Sequence, residues 1–315
     1  MTDTAPTGTL RPTAPGASAE QVSMSTGGAE NGPGSLDLAA GRSASASDSL
    51  LQEHRRKKSV LEYVGPFVVF LIVLGIWYGG PFLMPSYKRF LLPMPHRIWQ
   101  DGFMNRPIRD AVLKACWLDI KVAVMGLGIA IVVGMGIAIV MAQAQWIEKS
   151  FWPYLVALQA VPILIVSPLI GAIMGYSFAP RVFVTVVITI FPIISNTLFG
   201  IRSVEKGYHD LFTLHRVGRL RRLIRLEIPA ASPAIFAGFR ISAGLAVIGA
   251  IVGDVFFRAG EAGLGLLVDV YVSRINGAGT WLCIIAAALL GLGFFGFFGF
   301  LNKAVVGRWY DTPRS

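Results

Sequence analysis

The stretch Val122-Ala-Val-Met-Gly-Leu-Gly-Ile-Ala-Ile-Val-Val-Gly-Met-Gly-Ile-Ala-Ile-Val-Met141 runs for 20 residues without a charged side chain. A helix rises about 1.5 Å per residue, so this length covers the ~30 Å hydrocarbon core of a bilayer. Gly126, Gly128, Gly134 and Gly136 allow close helix packing, which matters where lipid gives apolar helices no drive to associate. The apolar run begins near Ala111. Five others resemble it: Tyr63 to Met84, Trp152 to Met174, Val182 to Ile201, Ile235 to Phe257 and Trp281 to Leu301. The expected fold is all-α, a polytopic membrane protein with six transmembrane helices.

Composition agrees. Of 315 residues, 54% are hydrophobic and 15% charged, against roughly 25% charged in soluble domains. The net charge of +10 does not point to nucleic acid, because the basic residues lie in short segments between apolar runs, where topology places them. Cys116 and Cys283 match no metal or redox spacing. His54, His96, His209 and His215 lie outside the apolar runs, so no metal site or cofactor is expected. Residues 1–58 are rich in Ala, Ser, Thr, Gly and Pro and end in the basic cluster Arg55-Arg56-Lys57-Lys58. They read as a disordered tail with no secretory signal, and the cluster suits contact with membrane lipid.

Six spans put both termini on one side. With the N-terminus in the cytoplasm, the inner segments hold about 17 Lys or Arg and the outer ones about 8, the direction the positive-inside rule expects. Residues 202–234 carry seven of the inner set. The segment 85–110 runs against the trend, with Lys88, Arg89, Arg97, Arg106 and Arg109 on the outer side. A plasma-membrane protein with cytoplasmic termini is expected, with 85–110 and 258–279 outside.

The informative connection is Asp210-Leu-Phe-Thr-Leu-His-Arg-Val-Gly-Arg-Leu-Arg-Arg-Leu-Ile-Arg-Leu-Glu-Ile-Pro229. Leu211, Leu214, Leu220, Leu223 and Leu226 recur at three- and four-residue steps, with arginines between them. The pattern predicts two short amphipathic helices that break at Gly218, with Pro229 and Pro233 launching the fifth span. Such a basic helix lies on lipid or docks into a groove of a partner.

This segment resembles the coupling loop of ABC importer permeases, the binding-protein-dependent transport family, whose usual pattern is Glu-Ala-Ala, three residues, then Gly. Asp210 takes the acidic position, Leu211 and Phe212 replace the alanines, and Arg216 stands where the glycine usually is, with Gly218 two residues later. The flanks are similar to nitrate, sulfonate and taurine permeases. They include Leu92-Pro93-Met94-Pro95, the pair Pro162 and Pro168, Phe191-Pro192 with Asn196-Thr197-Leu198 and Gly200, and Ile228-Pro229-Ala230-Ala231 with Pro233, Gly238 and Arg240-Ile241. The resemblance covers about residues 60 to 310.

The resemblance implies a permease domain over 59–315 with a cytoplasmic coupling loop at about 202–234. It also implies partners: cytoplasmic ATPase subunits, an extracytoplasmic solute-binding protein and a second permease subunit. Asp210, Leu211, Phe212, Arg216, Gly218, Arg219, Arg222 and Pro229 would then couple to the ATPase. The sequence holds no Gly-x-x-x-x-Gly-Lys-Ser/Thr phosphate loop, so ATP hydrolysis is expected on a separate chain, and this chain is expected not to be an enzyme.

Asn196, Ser242 and Asp254 are the candidates for the translocation pathway, since polar groups inside spans usually face a cavity or a partner. Phe236, Phe239, Phe256 and Phe257 would suit a flat ring, or simply pack. Asp119 and Lys121 in the second span are expected to pair or to reach headgroups. The glycines of 260–265 suit a turn or an outer gate. For the solute, Asp210 to Arg216 and Gly249 to Arg258 resemble permeases associated with riboflavin and pyrimidine thiamine precursors. The alternatives are sulfonate, taurine or nitrate in the same importer class. From other classes, an ion-coupled secondary transporter or an intramembrane enzyme remains, although neither an inverted repeat nor a convergent catalytic set is visible.

Overall fold

The computed structural model describes residues 64–258 and 260–307. The expected tail, residues 1–58 with its Arg55–Lys58 cluster, lies outside the described residues. The chain divides into two units, Met1–Phe70 and Leu71–Ser315. Within the first, the described residues are the opening turns of α1, with Phe67 and Phe70 exposed. The second unit holds the packed helices described below.

Among the described residues the regular structure is helical. Five helices are long and apolar enough to span a bilayer: α1 (Val64–Leu83), α2 (Arg106–Ala142), α5 (Phe178–Arg202), α7 (Arg219–Phe256) and α9 (Gly277–Val306). Between α2 and α5 lie α3 (Gln145–Ala160) and α4 (Ile163–Met174), which together make a sixth apolar segment. Two shorter helices, α6 (Lys206–Leu214) and α8 (Leu264–Ser273), sit at opposite ends of α7.

The expected third span is not one straight helix. α3 and α4 meet at 94°. Pro162 has no amide proton, and its ring pushes Val161 out of the helical region. Val161 accordingly takes φ −70° and ψ 120°. Pro153, Pro168 and Pro192 stay inside their helices, so only the proline at the break redirects the chain.

The core is built by α5, α7 and α2. Gly238, Gly249 and Gly253 on α7 let it cross α5 at close range, where Gly238 meets Asn196 and Gly249 meets Thr185. On α2, Gly126 faces Thr185 and Gly134 faces Ile193. Val122, Leu127, Ile193, Ile194 and Val247 fill the space between the three helices. Small residues at crossings and branched ones between them give tight packing without a hydrophobic drive from water. Ion pairing of Arg202 with Glu148 ties the end of α5 to the start of α3. The outward faces of α2 and α9 expose Val132, Leu292, Phe297 and Phe300, as expected of surfaces that meet lipid or another subunit.

α5 and α7 are antiparallel. Gly200 lies against Ala231 and Ala234 at one end, and Arg181 against Gly253 at the other. The α5–α7 connection and the α7–α9 connection therefore lie on opposite faces of the molecule, as six alternating spans require.

Candidate functional site

The connection between α5 and α7 is built from two pieces. α6 ends at Leu214, and His215 Nδ1 lies 2.9 Å from the Leu211 carbonyl. The chain then turns at Arg216, whose φ is +51°. Gly218 has φ −63° and ψ 153°, a backbone any residue adopts. The helix is interrupted over 215–218, so the break includes Gly218 as expected, and the left-handed residue within it is Arg216, the position where the importer pattern usually carries glycine. An L-residue in the left-handed region costs roughly 1–2 kcal/mol. Here the turn is held by Arg216 N donating to Thr213 O and Val217 N donating to Phe212 O, at 2.9 and 3.0 Å.

Pro229 and Pro233 lie within a helix that is already under way. Residues 219–256 form one continuous helix of 38 residues, about 57 Å long by helical rise, so Pro229 and Pro233 do not begin a new span. The turn Leu223–Glu227 is π-helical, with Ile228 N donating to Leu223 O. Pro229 cannot donate, and its ring crowds the carbonyl four residues back. A widened turn relieves that crowding and keeps the helix intact. Arg222 Nε donates to Glu227 Oε1 at 3.1 Å, with His209 Nδ1 3.9 Å from the same oxygen. This buried glutamate links α6 to the base of α7.

The leucines of the two helices differ in burial. Leu223 is buried, whereas Leu214 and Leu220 are 80% and 70% exposed, and Leu211, Tyr208 and Ile224 are also open. Asp210, Arg216, Arg219 and Pro229 are exposed, while Phe212 and Arg222 are half-buried. Leu211, Phe212, His215, Val217, Arg221 and Arg225 surround a cavity of about 340 Å³. The loop offers apolar side chains, arginines and a concavity on one surface.

At the other end of α7 lies a buried polar cluster. Arg181 Nη1 is 3.0 Å from Asp254 Oδ1, with side-chain exposures of 3% and 0%. The same guanidinium donates to the Phe257 carbonyl from Nε and Nη2 at 3.1 and 2.6 Å, and to the Glu261 carbonyl at 3.1 Å. Asp254 accepts from Gly263 N and Leu266 N at 2.9 and 2.5 Å, and Asp119 Oδ2 accepts from Leu264 N at 3.0 Å. Two carboxylates from α2 and α7 thus satisfy the first amides of α8, which have no partners within their own helix and lie at its positive end. Gly263 passes between the carboxylates so closely that a methyl group would collide with both. Asp119 Oδ1 has no hydrogen-bond partner among the described residues.

Asn196, Ser242 and Asp254 all lie on the α5–α7 pair. Ser242 is fully buried and donates to Thr189 O at 2.9 Å, and Asn196 Nδ2 donates to Pro192 O at 2.8 Å. Asp254 is enclosed by Arg181 and the α8 amides rather than open to a cavity. Of the phenylalanines, Phe257 is buried against Ile170 and Val184 and tilted on Tyr176, while Phe239 packs on Phe236 and Phe298. Lys121 does not pair with Asp119; its amine lies 3.9 Å from Glu261. Sequence reasoning missed Arg181, which reads as a flanking cation. The signal for it was Asp254, a carboxylate in an apolar run that needs a counter-charge.

Against this geometry, the family model of the binding-protein-dependent transport system inner membrane component matches residues 130–307, from mid-α2 through the exposed loop to the end of α9. The chain belongs to this family. The permease is 30% identical over 233 residues to the formylaminopyrimidine transport permease protein ThiX of Halalkalibacterium halodurans, covering 72% of this chain and 88% of that protein. It is 31% identical over 242 residues to the riboflavin transport system permease protein RibX of Chloroflexus aurantiacus, covering 77% and 88%. The nitrate import permease protein NrtB of Leptolyngbya laminosa is 25% identical over 282 residues, covering 86% and 97%. The protein is therefore an ABC importer permease subunit, a multi-pass protein of the plasma membrane.

Proposed function

We propose that this permease carries a small heterocyclic solute, a pyrimidine thiamine precursor or riboflavin, and that the 206–229 segment couples its movement to ATP hydrolysis on cytoplasmic ATPase subunits. The observation that carries the coupling role is the exposure of Leu211, Leu214 and Leu220 beside Arg216 and Arg219 on either side of the α6–α7 turn. Apolar side chains ringed by cations suit a groove on a protein better than bulk water. The segment joins α5 and α7 directly, so a push there moves both helices of the core.

In this reading residues 59–315 form the permease domain, both termini and 202–234 face the cytoplasm, and a solute-binding protein delivers cargo to the opposite face. A second permease subunit completes the pathway, with Asn196 and Ser242 at the α5–α7 crossing where the helices must shift. Two relatives named for formylaminopyrimidine and riboflavin transport, at 30% and 31% identity, support the solute class. The decisive experiment is radiolabelled uptake into vesicles holding the whole complex and its own binding protein. Competition by hydroxymethylpyrimidine, thiamine or riboflavin is expected. Competition by taurine, an alkanesulfonate or nitrate alone would reassign the cargo and leave the importer role standing.

A further inference from the structure

The segment between α1 and α2 runs against the charge trend of the rest of the chain, with five cations on the face opposite the α5–α7 connection. Two of them converge with a third from a distant part of the sequence. Arg89 lies on the 3-10 turn Ser86–Leu91, Arg97 ends the helical turn Pro95–Arg97, and Arg274 follows α8. All three line one open cavity of about 540 Å³, with Phe90 and Leu92 on its apolar side and Asp101 on its wall. The three arginines are exposed, and none makes a salt bridge with a described residue.

The cavity has a fixed frame. Gly277 sits directly under the Phe90 carbonyl, and a methyl group there would strike that oxygen. Ile275, also on the wall, has φ +57° as the left-handed residue that closes α8, with Ile275 N donating to Val272 O and Asn276 N to Tyr271 O at 3.0 and 2.9 Å. Trp77 and Trp281 lie beside it with ring centroids 4.7 Å apart. Their indole nitrogens donate to the carbonyls of Pro93 and Leu91 at 3.2 and 2.8 Å. Tryptophans at the ends of spans sit at the level of lipid headgroups, so the arginines lie where phosphates are.

We propose that this cavity binds the phosphate of an anionic phospholipid. Three guanidiniums on three segments present forked donors that match phosphate oxygens. With Asp101 they leave a net charge of +2, which a phosphodiester and its anionic surroundings neutralise. Phe90 and Leu92 receive the upper part of an acyl chain. The lipid joins the 86–103 segment to the corner between α8 and α9, and its presence explains why so many cations are kept on this face.

The test is native mass spectrometry of the full-length chain, purified in detergent, stripped of lipid and titrated with phosphatidylglycerol, phosphatidylcholine or inorganic phosphate. Phosphatidylglycerol is expected to bind most tightly. The combined Arg89→Gln, Arg97→Gln, Arg274→Gln variant should lose at least ~10-fold in affinity, since each basic residue near a lipid surface contributes appreciably. The matching Arg→Lys variant should recover part of that loss, and Arg106→Gln, outside the cavity, should change nothing. Undiminished phosphatidylglycerol binding in the triple Gln variant overturns the proposal. So does equal binding of phosphatidylcholine, or complete displacement by inorganic phosphate, which would make this a site for a free anion. Unchanged lipid binding with uptake lost would instead assign the arginines to an acidic protein surface.

Discussion

Arg181 on α5 and Asp254 on α7 meet at 3.0 Å inside the protein, and the pair ties the end of α7 to the start of α8. The guanidinium holds two carbonyls of the outgoing loop while the carboxylate holds two amides of the incoming helix. Removing one member of a buried pair leaves an uncompensated charge, at a cost of about 3–5 kcal/mol. Arg181→Gln or Asp254→Asn should lower stability by that order in thermal or denaturant unfolding of the purified protein. The double variant Arg181→Met, Asp254→Leu should be less damaging than Arg181→Met alone. Equal destabilisation by both would mean the pair acts only through packing.

Gly263 makes the same anchor testable without touching a charge. A methyl group at this position meets Asp119 and Asp254. Gly263→Ala should displace the start of α8, seen as faster hydrogen exchange at Leu264 and Leu266, whose amides the two carboxylates now hold. Protection unchanged at both amides would show that the loop has slack not evident in the close approach.

At the other end of α7, Arg216 carries the positive φ and Gly218 does not. Arg216→Gly should therefore stabilise the turn by roughly 0.5–1 kcal/mol, and Gly218→Ala should be neutral or mildly stabilising, because its backbone suits any residue. Differential unfolding curves check both. A loss of stability on Gly218→Ala would mean that the glycine is used in another conformation.

The coupling role predicts a separation of effects. A Cβ built on Gly218 meets no other residue beyond its chain neighbours within 4 Å and the position is exposed, so Gly218→Trp puts a bulky ring where it would obstruct a docked partner. Arg219→Glu, on an exposed side chain, reverses a charge without breaking an internal contact. Both variants should insert into the membrane normally while uptake falls severalfold relative to ATP hydrolysis. Arg222→Glu is a poorer probe, since Arg222 also holds Glu227. Normal uptake and ATPase association in both good probes would return the segment to the lipid surface.

Orientation is read by impermeant thiol labelling in a Cys116→Ala, Cys283→Ala background. Lys206→Cys and Ser273→Cys are exposed positions on opposite faces. From outside intact cells, the residue at 273 should react and that at 206 should not. The reverse pattern would invert the topology.

The sequence by itself determined which segments are apolar enough to enter a bilayer and where the α5–α7 connection lies. Runs such as Val122–Met141 have one stable environment, and the leucine and arginine pattern of 210–229 is local. What only the tertiary structure decided is how distant groups resolve their costs. Pro162 announces a break, but its 94° angle depends on where α3 and α4 pack. The left-handed turn falls on Arg216 rather than on the available Gly218, because surrounding hydrogen bonds, not residue preference, fix that backbone. Asp254, read as a pathway residue, is enclosed because Arg181, 73 positions earlier in the numbering, reaches it across the α5–α7 crossing. A buried charge must find its counter-charge in space, and spatial neighbours from separate helices leave no periodicity in the sequence.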